Sequence, residues 1–269
     1  MTNWVSAVQR LRRERRPGVL VTITDVRGHA PRDAGAKMVV SAADVWGTIG
    51  GGNLEETALS RARALLEALP DEPSSATISL SDKARTEHGR QCCGGEVTLL
   101  FEPLPVVPAV AIFGMGHVGL ELARILARHD LELHLVDSRK SYVAARRVAC
   151  LEDGPAEVVV HHSPVPELAL GQVPAGTHVL SLTHDHAEDF ALCDAALRTA
   201  HLGSSGLIGS AAKWRRFQQG LRVEGHTESA IAQIQSPIGT PEIPGKDPAV
   251  IALSVAAQLL RTVRVAVES

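Results

Sequence analysis

Ala109-Val110-Ala111-Ile112-Phe113-Gly114-Met115-Gly116-His117-Val118-Gly119 joins an apolar run to the pattern Gly-x-Gly-x-x-Gly. The run reads as a buried strand and the segment after it as a helix, His117–His129. Gly114 suits the tight turn between them, Gly116 lets the backbone approach a pyrophosphate, and Gly119 lets helix and strand pack closely. The free N–H groups and partial positive charge of the helix start favour an anion. A second apolar strand, Leu131–Val136, leads to Asp137, whose carboxylate can accept from a ribose hydroxyl. Arg139 favours a 2′-phosphate, which Asp137 repels. His117, inside the motif, reads equally as a ligand contact or as a polar first-turn residue.

Strand and helix patterns go on alternating downstream: Val158–Val160, Val179–Thr183, Asp189–Ala200, Gly206–Ile208 and a final helix Ala249–Val265 started by Asp247-Pro248. Such alternation predicts a Rossmann-like, doubly wound parallel sheet over residues 109–269 with helices on both faces. Upstream, a first helix precedes strands at Val19–Thr24, Lys37–Val40, Thr77–Leu80 and Glu96–Phe101. A helix over Leu54–Leu69 carries an apolar stripe of Ala58, Leu59, Ala62, Leu65, Leu66 and Leu69. The expected fold class is therefore α/β, with an N-terminal α+β domain over residues 1–102. A stiff proline linker, Pro103–Pro108, separates it from the Rossmann half.

Composition narrows the function. The chain has 269 residues, 45% of them hydrophobic, enough for two packed domains and too many for disorder. Only 3% are aromatic, and the net charge is −3, which argues against a nucleic-acid partner. Arg10–Arg16 reads as the solvated face of the first helix. No apolar run reaches the roughly 18 residues of a membrane span, and four cysteines at uneven spacing do not make a disulfide framework. A cytoplasmic location, with no membrane partner, is the expectation.

Other groups could carry chemistry. Gly50, Gly51 and Gly52, in Gly47-Thr48-Ile49-Gly50-Gly51-Gly52, precede a helix and read either as an anion nest of N–H groups or as a sharp turn. Cys92-Cys93-Gly94-Gly95 places two thiols at a turn. They are unsuited to one metal ion, and are either buried structural cysteines or holders of a soft ligand or sulfur atom. His184 and His186, in Thr183-His184-Asp185-His186, follow an apolar strand, at the edge where open α/β sheets bind ligands. They read as acid–base groups, as ligands of a metal-dependent hydrolase, or as a polar loop before a helix. Gly209 and Ser210, in Gly206-Leu207-Ile208-Gly209-Ser210-Ala211-Ala212-Lys213, repeat the strand–glycine–helix pattern and suggest a second backbone cradle. Ser236-Pro237-Ile238-Gly239 forms a rigid loop that could cover the same crevice.

Together these blocks, with Pro31-Arg32-Asp33-Ala34-Gly35-Ala36-Lys37-Met38, Asn53-Leu54-Glu55 and Val136-Asp137-Ser138-Arg139, resemble the xanthine dehydrogenase accessory family, XdhC/CoxI. The resemblance implies a non-enzymatic chaperone that binds the molybdenum cofactor (molybdopterin). It would help the cofactor gain its sulfido ligand from a cysteine desulfurase, then deliver it to a molybdenum hydroxylase such as xanthine dehydrogenase. On that basis Cys92, Cys93 and Gly94 become cofactor or sulfur contacts, with Cys93 aligned to the family's Cys-Gly-Gly. Gly50–Gly52 and Gly114–Gly119 become phosphate cradles, and no resident metal site is implied. The chain departs from the family at Ala211, where a basic residue is usual, and at Val250 and Gln258, where glutamates are common. The alternative is an NAD(P)-dependent oxidoreductase built on Gly114–Asp137. An apolar face on the final helix is the basis for expecting a homodimer.

Overall fold

The computed structural model describes residues 3–68, 72–80 and 94–263. It divides into two compact units, Met1–Val106 and Val107–Ser269. In the first, α1 (Trp4–Arg13) is followed by β1 (Gly18–Arg27), β2 (Lys37–Val40), β3 (Val45–Gly47), α2 (Gly52–Ala68), β4 (Ser74–Ser79) and β5 (Glu96–Leu104). The strands form one antiparallel sheet in the order β3-β2-β1-β5-β4. Residues 18–23 of β1 are buried without a break, because both faces of the sheet are covered. Val19, Val21 and Ile23 pack with Val97, Leu99 and Phe101 of β5 and with Leu54, Ala58 and Ala62 of α2. Leu20 points the other way, with Val39, onto Ala7 and Leu11 of α1. Each such Val or Leu contributes roughly 1.5–3 kcal/mol on burial.

The second unit runs β6 (Ala109–Phe113), α3 (His117–Leu126), β7 (Glu132–Asp137), the one-turn α4 (Ala145–Val148) and β8 (Glu157–His162). After these come β9 (His178–Ser181), α5 (His186–Arg198), β10 (Ser204–Leu207), α6 (Ala211–Val223), the short α7 (Glu228–Ile231) and β11 (Ile234–Gln235), and α8 (Pro248–Thr262) closes it. Its six strands are parallel, in the order β11-β10-β9-β6-β7-β8. Strand order therefore reverses between β6 and β9, which opens the ligand crevice of a doubly wound sheet above their carboxyl ends. The alternating side chains of β6 split the core. Val110 and Ile112 meet α3 and α8, whereas Ala111 and Phe113 meet Leu192 of α5 and the 3-10 turn at Ala169 and Leu170.

The α/β class with a Rossmann half agrees with the sequence reading, and several details correct it. Pro103 and Leu104 belong to β5, opposite Val19 and Gly18, so only Pro105–Pro108 lies between the strands. Proline is tolerated there because β4 begins at Ser74, opposite Phe101, and leaves no ladder on that side. The apolar stripe of α8, with Ala252, Val255, Ala256 and Leu259 buried, joins α3 in the core of its own unit. That stripe is therefore spent inside its own unit. Among the described residues no helix is long and apolar enough to cross a membrane.

Candidate functional site: the switch-point crevice

The glycines of β6–α3 are demanded by close backbone approach. A Cβ on Gly119 would sit 2.0 Å from the Gly114 carbonyl oxygen, and one on Gly114, at φ +103, would sit 2.3 Å from the Leu182 carbonyl oxygen. Gly116 differs, since a Cβ there would enter open space. It forms the N-cap of α3 without a side-chain cap, and its own N–H has no acceptor among the described residues. His117 follows at the first helical position and is exposed. An uncapped helix start with open room before it suits an anion.

Asp137, at the end of β7, is buried to 3% exposure. One of its oxygens accepts from the Arg139 N–H and Nε, both at 2.9 Å. The other accepts from Arg139 Nη2 at 2.9 Å and the Met115 N–H at 2.8 Å. A carboxylate offers about four lone-pair positions, and all are used. Burial pushes its pKa up, but the Arg139 guanidinium and the N–H groups of Arg139 and Met115 hold it below the ordinary value. Arg139 also lies 3.5 Å from the centroid of Tyr142.

Across the switch point, Asp189 of α5 is 1% exposed. It accepts from the Thr183 N–H at 3.0 Å and hydroxyl at 2.8 Å, and from Lys213 Nζ of α6 at 2.5 Å. Lys213 also donates to the Ile208 carbonyl at 3.0 Å, which ties the ends of β9 and β10 together. Glu188 accepts from the Ser138 hydroxyl at 2.6 Å and lies 3.7 Å from His184 Nδ1, so one carboxylate links the ends of β7 and β9. Asp185 caps α5 through the Ala187 N–H, and His186 is exposed. His184 and His186 do not converge, and no cluster among the described residues could hold a metal ion. Ser210 caps α6 through the Lys213 N–H, with Gly209 before it at φ +158. The Gly239 N–H donates to Gln258 Oε1 at 2.7 Å and the Thr240 N–H to Ser254 Oγ at 2.8 Å, so the Ser236–Gly239 loop is pinned to α8. The departure at Gln258 thus has a structural role.

In the first unit the glycine turn forms a nest, and the chain fills it. Glu55 Oε1 accepts from the N–H groups of Ile49 (2.9 Å), Gly50 (3.2 Å) and Gly51 (2.8 Å), and from the Thr48 hydroxyl. Burial raises this carboxyl's pKa, but the four donors outweigh it and hold the pKa below its usual value. Gly94, at φ +68, donates to the Leu80 carbonyl at 3.0 Å. Cys92 and Cys93 lie outside the described residues. Glu55, Asp189, Lys213 and Arg139 acting on Asp137 escaped the sequence reading. A carboxylate four residues after Gly51, inside the following helix turn, is the signal that marks Glu55.

Residues 110–259, more than half the chain, match the family described as the XdhC Rossmann domain, and residues 11–71 match the XdhC and CoxI family. An uncharacterized protein of Escherichia coli strain K12, YqeB, is 24% identical over 269 residues, which cover 96% of this chain and 46% of that protein. The chain thus spans about half the length of this curated relative. A Bacillus halodurans crystal structure described as a xanthine dehydrogenase aligns at 18% identity and TM-score 0.49, over 98% of this chain and 96% of that one. The E. coli tRNA N6-threonylcarbamoyladenosine dehydratase TcdA aligns at 13% identity and TM-score 0.42, over 58% and 85% respectively.

Proposed function

We infer the function from one premise: the chain belongs to the XdhC and CoxI family. We propose that it is an accessory protein in the maturation of xanthine dehydrogenase-type molybdenum hydroxylases. In this reading it binds the molybdenum cofactor, supports its sulfuration with a cysteine desulfurase, and hands it to the client enzyme. The observation that carries the binding step is the uncapped start of α3, with open space before Gly116. Those N–H groups fit the phosphate of a pterin cofactor. When bound, the cofactor supplies the metal centre that the client uses for hydroxylation.

The chain's own part is to hold and orient. Gly116 and His117 would meet the phosphate through their N–H groups, while Gly114 and Gly119 keep the loop tight enough to present them. Cys93, with Cys92 and Gly94, is the proposed sulfur contact, a role that rests on the Cys-Gly-Gly motif. Gly50–Gly52 is a weaker candidate for the phosphate, because Glu55 already occupies its donors. Gly209 and Ser210 supply a second cradle beside the ends of β9 and β10, with His184 and His186 on the exposed rim.

An NAD(P)-dependent oxidoreductase is the competing reading. Asp137 speaks against its NAD form, since no acceptor position is left for a ribose hydroxyl. The deciding experiment is anaerobic purification from cells that make the cofactor, followed by oxidation and fluorescence of released pterin. Near-stoichiometric pterin, reduced by Gly116→Ala or Cys93→Ala, is the expected result. Protein without pterin under those conditions would overturn the reading.

A further inference from the structure

Beyond β7 the crevice carries two guanidinium groups over one phenol ring. Arg139 lies 3.5 Å and Arg147 4.9 Å from the centroid of Tyr142. Their charges are met differently. Arg139 grips both oxygens of Asp137. Arg147, within the short α4, has no carboxylate partner among the described residues. Its Nη2 donates to the Met115 carbonyl at 3.1 Å, so the guanidinium is held against the Gly114–Gly116 loop. Its Nε is enclosed with no acceptor and is out of a ligand's reach, so the donor left for a ligand is Nη1.

Two kinds of ligand could be read here. A ribose diol needs a carboxylate with a free lone pair, and Asp137 has none left. A phosphate monoester needs donors and a cation, and Arg147 offers both beside a loop that already favours an anion. We propose that this end of the crevice is a phosphomonoester subsite in which Arg147 meets the phosphate and Arg139 keeps Asp137 out of ligand recognition. The subsite goes beyond the accessory role, because it holds for any ligand ending in such a group. A pterin phosphate and the 2′-phosphate of NADP+ are the two sources with this chemistry.

The test is calorimetric titration of the full chain with two matched pairs. One is NADP+ against NAD+. The other is the phosphorylated, oxidised pterin released from the cofactor, before and after phosphatase treatment. In at least one pair the phosphorylated member should bind about tenfold or more tightly, the effect of one charge-assisted contact. Arg147→Ala should abolish that preference, and Arg147→Lys should keep part of it and cover the case in which the alanine variant does not fold. Arg139→Ala frees Asp137 and should raise affinity for NAD+. The proposal fails if no probe binds, if binding ignores the phosphate in both pairs, or if Arg147→Ala keeps the preference. Retained pterin without phosphate dependence sinks the subsite and spares the accessory role. An NADP+ preference without pterin retention does the reverse.

Discussion

Glu55 Oε1 lies 2.8 Å from the Gly51 N–H, so the chain's own carboxylate occupies the anion nest at the start of α2. Glu55→Ala strands the N–H groups of Ile49, Gly50 and Gly51. We expect a loss of roughly 1–3 kcal/mol, the cost of buried donors left unsatisfied. Urea unfolding measures it. Added phosphate should raise the melting temperature of the variant more than that of the parent, because the emptied nest can then take an external anion.

Glu55 and Asp137 also set an acid limit. Their folded pKa values are depressed, so the stabilisation is complete above the ordinary carboxylate range and fades as pH falls through the folded values. Unfolding midpoints should be flat near neutrality and drop below about pH 4. Glu55→Gln should shallow the acid slope. An unchanged slope in both Glu55→Gln and Asp137→Asn would contradict this.

Lys213 and Asp189 form a buried pair whose halves are not separately dispensable. Lys213→Met leaves the Asp189 carboxylate enclosed without its cation, a change of about 3–5 kcal/mol. The double variant Lys213→Met, Asp189→Leu should recover a large part of that loss. A double-mutant cycle in denaturant reads the coupling.

Two of the motif glycines should separate folding from binding. Gly119→Ala drives a methyl into the Gly114 carbonyl and should cost roughly 1–3 kcal/mol or more, the overpacking penalty of a tight core. Gly116→Ala meets no atom and sits at φ −65, so its melting temperature should stay near that of the parent. Its methyl projects into the space before α3, so ligand binding should fall. Circular dichroism paired with pterin retention distinguishes the two outcomes.

Backbone patterns were the legible part of this sequence. The Gly-x-Gly-x-x-Gly turn and the strand–helix alternation announced the parallel sheet because their periodicity and φ demands are local. Partnerships between distant charges were not legible. Asp137 looked available from its position at a strand end, and only the fold brings the Met115 N–H, 22 residues away, onto it. Lys213 stands within a glycine motif in the sequence, and its bond to Asp189, 24 residues away, depends on β9 and β10 lying side by side. The short β3 and β11 carry too few residues for a period to show.

Strand β1 lies at the centre of the first sheet, yet its neighbour β5 begins at Glu96. During synthesis β1 can pair with β2 soon after Val40 emerges, while its other edge waits for residues 96–104. At roughly 5–20 residues per second, that wait lasts on the order of seconds. Until then the Val19-Leu20-Val21-Thr22-Ile23-Thr24 edge of the nascent chain is an open template. It is at this interval on the ribosome that pairing with a neighbouring molecule competes most directly with native assembly.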